Sequence, residues 1–251
     1  MRIYQTTFSL TETSRNWNRG IGLLATLAIA VAGFASTSYA SIITVPAGLV
    51  AGDTYRLVFV TADTYQATST NIATYNADVT TEADSITALA ALDTTWSAIG
   101  STSTVNAITN IGTDANVPIY NFDGQLVADD ATTDSGGIFS GALLNAILID
   151  ELGLSPSIAE VWTGTSSDGD GFPTRYLGTT IPMTGKPQAI SVDWDAYTTF
   201  AEAEGNDLYA ISGVLTVESS TPEPATTGTM IMGVAVVYLA ARRRQRIRRA
   251  N

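Results

Sequence analysis

The stretch "TSSDGDGFPTR", residues 165–175, is the most chemical-looking part of the chain, because Asp168 and Asp170 alternate there with Gly169 and Gly171. Glycines let a backbone wrap so that carboxylates and carbonyls converge on a hard cation such as calcium. It is not an EF-hand: the fifth position from Asp168 is Phe172 and the twelfth is Thr179, where that loop needs oxygen ligands. The alternative is a solvated Gly/Asp turn. A second acidic pair lies in "VDWDAY". Read as a strand, it sets Asp193 and Asp195 on one side and Trp194 on the other. Paired carboxylates across a cleft can hydrolyse glycosides, and surface solvation is the alternative. Trp96, Trp162 and Trp194 could stack on sugars, although tryptophans on apolar strands more often serve the core.

Much other chemistry is excluded by composition. The 251 residues include no cysteine and no histidine, which rules out Cys- and His-based catalysis, Cys/His zinc sites and disulfides. No phosphate-binding loop, dinucleotide fingerprint or nucleophile elbow is present. The formal net charge is −12, and it is unevenly spread. Between Ser41 and Thr221 only Arg56, Arg175 and Lys186 oppose 22 acidic residues, a net −19. Such a body repels nucleic acid and anionic lipid and suits a solvated or cation-binding surface. It carries many Thr and Ser, which can decorate exposed strands or accept O-glycans after export.

The elements that would position these residues are those of an α+β domain over residues 41–218. "YRLVFVTA", from Tyr55, reads as a buried strand. Ile72, Tyr75 and Val79, continued by Ala88, Leu89 and Leu92, predict one broken helix or two short ones, with Ser69 or Thr70 as the cap. "TTWSAIGST" reads as a short strand. Pro118-Ile119-Tyr120 and Gln125-Leu126-Val127 predict a hairpin around Asp123-Gly124. "SGALLNAILIDEL" fits helix or strand, whereas "AEVWTGT", "AISVDW" and "DLYAISGVLTV" read as strands. The expectation is one early helical region and a mostly antiparallel sheet.

Both ends look like processing signals. Three arginines precede an uncharged apolar run over 21–35, and Ser38 and Ala40 stand at −3 and −1 of a cut before Ser41. This is the layout of a secretory signal peptide over 1–40. The alternative, an uncleaved anchor, is poorly served by a run too short for a bilayer core of about 30 Å. At the other end a linker, 219–224, contains Pro222-Glu223-Pro224, where two prolines enforce an extended backbone. The uncharged segment 225–241 would span about 26 Å as a transmembrane helix, the short end for a bilayer. Arg242, Arg243, Arg244, Arg246, Arg248 and Arg249 follow in the tail 242–251, and a basic cluster in that place stays cytoplasmic.

Pro-Glu-Pro, a short helix and terminal arginines, in that order, resemble a PEP-CTERM sorting signal. Such tails occur on exported proteins of Gram-negative bacteria that make extracellular polysaccharide. The resemblance covers about the last thirty residues and departs from the usual pattern at Thr226-Thr227-Gly228-Thr229. It implies passage through signal peptidase and the secretion machinery and transient anchoring in the inner membrane. It also implies recognition of Pro222-Glu223-Pro224 by an exosortase and delivery to the cell surface or beyond. A plain anchor that is never processed is the alternative. A eukaryotic GPI signal fits less well, because it has no basic cluster after its apolar tail.

A second resemblance concerns the body, about 53–218. "LVFVT", "NIATYNADV", "VWTG" and "LYAISGVLTV" follow the order of the C-type-lectin-like fold in its endostatin-related form. It carries over no sugar-binding residues, since Glu-Pro-Asn and Trp-Asn-Asp do not occur. The expectation is therefore a non-enzymatic surface or matrix protein associated with extracellular polysaccharide, without cofactor. A calcium-stabilised carbohydrate-binding or adhesion module is the alternative. A hydrolase using Asp168, Asp170, Asp193 or Asp195 is a third.

Overall fold

"TYRLVFV" forms strand β1, Thr54–Val60, whose side chains divide between two cores. Tyr55, Leu57 and Phe59 enter one, and Val58 and Val60 enter the other. Strand β8, Asp207–Ser212, repeats the pattern: Leu208 and Ala210 point one way, Tyr209 and Ile211 the other. A strand covered on both faces has no polar side, so both sequences are mainly apolar, with Arg56, Asp207 and Ser212 as buried exceptions. The computed structural model describes residues 41–155 and 160–219. The chain divides into two units between Thr37 and Ser38, and all described residues belong to the second.

The sheet, among the described residues, has nine strands. The others are β2 (Trp96–Ala98), β3 (Ile119–Asn121), β4 (Leu126–Ala128), β5 (Val161–Trp162), β6 (Met183–Gly185), β7 (Thr198–Thr199) and β9 (Leu215–Thr216). The main order is β4-β3-β1-β8-β5-β6-β7, with β2 on β8 and β9 on β1. The β1–β3 and β5–β8 pairs are parallel and the other six antiparallel, so the sheet is mostly antiparallel within an α+β fold.

The early helical region is α1, Ile72–Ser85, and α2, Thr87–Ala90. Ile72, Tyr75, Val79 and Ala83 form the buried stripe of α1. The N-cap is Asn71, not Ser69 or Thr70: its Oδ1 accepts from the Ala73 amide at 3.1 Å. Ser69 lies two residues before the cap, where its hydroxyl accepts from the Asn71 amide. Helix α1 stops where the Ser85 hydroxyl donates to the Glu82 carbonyl and Ile86 turns extended. Asn76 then ties α1 to β2, its Oδ1 accepting from the Ala98 amide at 2.9 Å. A third helix, α3 (Ala107–Ile111), covers the opposite face with Ala107 and Ile111.

Two further expectations are corrected. "SGALLNAILIDEL" is neither helix nor strand. Leu143 bonds to Ile190, Leu144 to Val127, and Asn145 through its side chain to Leu126, so no single ladder forms. Buried Leu143, Ile147 and Ile149 gave the segment its apolar pattern. "AISVDW" is no strand either: it ends in a 3₁₀ turn, Val192–Trp194, closed by the Trp194 amide on the Ser191 carbonyl at 2.9 Å. The Asp123-Gly124 hairpin forms as expected, with Gly124 at φ +74° and the Asn121 carboxamide accepting from the Asp123 and Gln125 amides.

No helix among the described residues is long and apolar enough to cross a membrane. The segments read as signal peptide and transmembrane helix, 1–40 and 225–241, lie outside the described residues.

Candidate functional site

The 165–171 loop is closed by its own side chains. The Ser166 hydroxyl donates to Asp168 Oδ1 at 2.6 Å, and the Asp170 amide donates to the same oxygen at 3.2 Å. That hydroxyl holds the Asp168 carboxyl below its usual range. Asp170 turns instead to Asn106, whose amide nitrogen donates to Asp170 Oδ1 at 2.7 Å while its oxygen accepts from the Gly171 amide. The loop carbonyls are engaged too: that of Gly169 accepts from Ile108 and that of Asp170 from Ser166. Gly169 has φ +80°, and a Cβ there would lie 2.8 Å from the Phe139 ring. Its glycine is thus required by turn and packing together. Asp168 and Asp170 are exposed and serve different partners. Among the described residues, no group of three acidic side chains is placed to hold a metal ion.

Asp193 and Asp195 do not form a pair either. The 3₁₀ turn leaves Asp193 half-buried and sinks Asp195 to 0 % exposure beside Trp194. Neither Asp195 carboxylate oxygen nor Trp194 Nε1 has a hydrogen-bond partner among the described residues. Burial pushes the Asp195 carboxyl up to about 8, and the nearby Asp168 charge adds to the shift. At neutral pH Asp195 is therefore held largely as the acid. The three tryptophans belong to the core: Trp96 and Trp162 to the face under α1, Trp194 to the other. None presents a sugar-stacking surface.

A different set of acids was not singled out from the sequence. Glu82 of α1, Glu151 and Asp207 of β8 are 8 %, 2 % and 0 % exposed. Glu151 accepts from the Ala62 amide at 3.0 Å. Tyr65 donates its hydroxyl to Glu82 Oε1. Neither carboxylate oxygen of Asp207 has a partner among the described residues. Burial pushes Glu151 and Asp207 up to about 8; Glu82 adds to the shift at Glu151, and Glu151, Asp150, Glu82 and Asp63 add to that at Asp207. One signal was available: Glu82 is seven residues after Tyr75 and three after Val79, on the buried stripe of the helix.

No protein-family model matches this chain, and no curated protein matches it.

The place where the body meets its linker is defined. Strand β9 pairs with the start of β1, and the Val217 amide donates to the Asp53 carbonyl at 2.9 Å. Near the other end, the Ile43 amide donates to the Phe122 carbonyl, and Tyr55 donates its hydroxyl to the Thr44 carbonyl. Val45 and Glu218 thus share one groove of about 580 Å³ with Tyr55, Leu92, Asp93 and Val214. Ser41, the residue after the expected cut, is exposed, whereas Ala40 lies outside the described residues. So do Pro222, Glu223 and Pro224, and Arg242, Arg243, Arg244, Arg246, Arg248 and Arg249.

Proposed function

We propose that this chain is an exported protein of the PEP-CTERM kind, cut by an exosortase and left as a non-enzymatic component of the cell surface or extracellular matrix. The observation that carries the reading is the order of three parts in the last thirty residues. A rigid Pro222-Glu223-Pro224 precedes an uncharged segment, 225–241, which precedes six arginines. Arginines that close behind an apolar segment hold it at the cytoplasmic face, so the tripeptide emerges on the far side with the acidic body. The apolar run at 21–35 directs the body the same way.

The fold supports this reading at one point. The last ladder hydrogen bond is made by Val217, so residues 218–221 separate the folded body from Pro222. The greatest reach of a four-residue spacer is about 14 Å. We take the body, in the same proposal, as C-type-lectin-like; what supports it is an early central strand, a helix packed on it and a last strand returning beside the first. The divergence of Asp193 and Asp195 argues against a hydrolase built on that pair, because acid and base must face one cleft.

The test is the mature mass in the producing cell. Wild type is expected to lose its arginine tail, and Glu223→Ala to retain it, a difference of about 3 kDa by intact-mass spectrometry, taking about 110 Da per residue over the last thirty positions. Equal masses with the tail present in both would defeat the reading.

A further inference from the structure

Glu82, Glu151 and Asp207 come from three distant parts of the chain and meet beside the end of β1. Glu82 sits on α1, Glu151 on the segment after Ile149, and Asp207 at the first position of β8. The segment carrying Glu151 is fastened at that spot. The Val60 amide donates to the Ile149 carbonyl at 3.0 Å, and the Ala62 amide donates to the Glu151 carboxyl. The Asp150 carboxylate folds the segment on itself, accepting from the Leu152 and Leu154 amides at 3.0 and 2.7 Å.

The titratable groups facing this spot are all acidic or phenolic. Helix α1 brings Glu82 and Asp78, the stretch after β1 brings Asp63 and Tyr65, the fastened segment brings Asp150 and Glu151, and β8 brings Asp207. The three basic residues of the body are engaged elsewhere. Arg56 bonds to Ser212 and Asp114, Arg175 lies against the Ile181 carbonyl, and Lys186 stands over the Tyr197 ring. Buried carboxylates without a countercharge are costly, and protons are what can neutralise them here. Asp207 marks the same need independently, since its carboxylate is fully buried with both oxygens unpartnered among the described residues.

We propose that this cluster is a proton-operated latch: with its protons in place it holds the segment 150–154 against α1 and the end of β1, and losing them releases that segment. The Glu151 carboxyl accepts from the Ala62 amide at 3.0 Å, the fully buried Asp207 carboxyl has no partner among the described residues, and no basic side chain there offsets either. Once Glu151 and Asp207 lose their protons, two like charges stand near each other in poor solvent without a countercharge. The segment bearing Glu151 joins the end of β1 through the Val60–Ile149 and Ala62–Glu151 hydrogen bonds, and it is the part these charges act on. The sign follows from burial raising the Glu151 and Asp207 values in the folded chain. The latch is complete below the ordinary carboxylate range of about 4 and weakens as pH climbs towards about 8.

The experiment is amide hydrogen exchange on the full-length chain between pH 6 and 9, corrected for intrinsic base catalysis. At Val60, Ala62 and residues 150–154, opening in wild type is expected to rise by about tenfold or more across the range. Glu151→Gln and Asp207→Asn keep the shape but not the charge, and each should flatten the rise. Asp195→Asn serves as the control, because its carboxyl titrates in the other core, and the rise should persist in it. A flat wild-type profile would overturn the latch, as would an equal rise in Glu151→Gln, Asp207→Asn and wild type. Should either variant fail to fold, wild type alone still decides. A rise confined to those two stretches is expected, and a rise spread evenly over the body would mean global unfolding instead.

Discussion

Trp162→Ala is expected to cost about 4 kcal/mol of unfolding free energy, the loss that removal of a fully buried indole produces. Trp162 is 0 % exposed on β5, in the core that α1 covers. Its neighbours there include Leu57, Phe59, Tyr75 and Leu208, drawn from three separate elements. Its Nε1 also donates to the Tyr65 carbonyl at 2.7 Å, which fixes the stretch after β1. Truncation therefore opens a large cavity and removes one of the two donors to the Tyr65 carbonyl, which keeps the Asn206 amide at 3.1 Å. Trp162→Phe separates the two effects: it keeps most of the ring and should lose about 1–2 kcal/mol. Urea unfolding measures both through the transition midpoint with the slope unchanged. A loss below about 1 kcal/mol for the alanine variant would mean that the two faces of the sheet do not depend on this residue.

Gly185→Ala is expected to be nearly as damaging, about 3 kcal/mol, for the opposite reason. Gly185 is the last residue of β6, where the 3₁₀ turn crosses it. A methyl group there would collide with the Trp194 carbonyl oxygen and lie 2.6 Å from its carbon and 2.8 Å from Asp195 Cα. These are backbone atoms and cannot rotate aside. The turn must move, and it carries both Trp194, packed 5.5 Å from the Tyr209 ring, and the buried Asp195. The same melts read the effect, and a change in Trp194 near-ultraviolet dichroism should accompany it. A variant as stable as wild type would show that the turn is free to shift away from the strand.

These two sites mark where sequence reasoning reaches and where it stops. The strand around Trp162 was legible because "EVWTG" is β-branched and aromatic, a local property. The helix was legible because Ile72, Tyr75 and Val79 repeat at helical spacing, and they are buried. The turn at 192–194 was not legible. "ISVDW" has strand composition, yet Gly185 leaves a gap that only a tight turn can fill. The segment 140–152 misled for a related reason: its apolar residues fill the core while its backbone bonds to several neighbours in succession.

The sequence by itself determined the α+β pattern, the absence of cysteine and histidine chemistry, the acidic character of the body and the three-part order of its tail. Each follows from residue types or from spacing within a few turns of chain. The tertiary structure alone decided which acids matter. Asp168, Asp170 and Asp193, conspicuous in the sequence, remain outside the core, whereas Glu82, Glu151, Asp195 and Asp207 are buried without a basic partner. The physical reason is that a carboxyl group's proton affinity is set by its solvent and charged neighbours. For Glu151 and Asp207 the charged neighbours, Glu82 for the one and Glu151, Asp150, Glu82 and Asp63 for the other, lie more than fifty residues away along the chain.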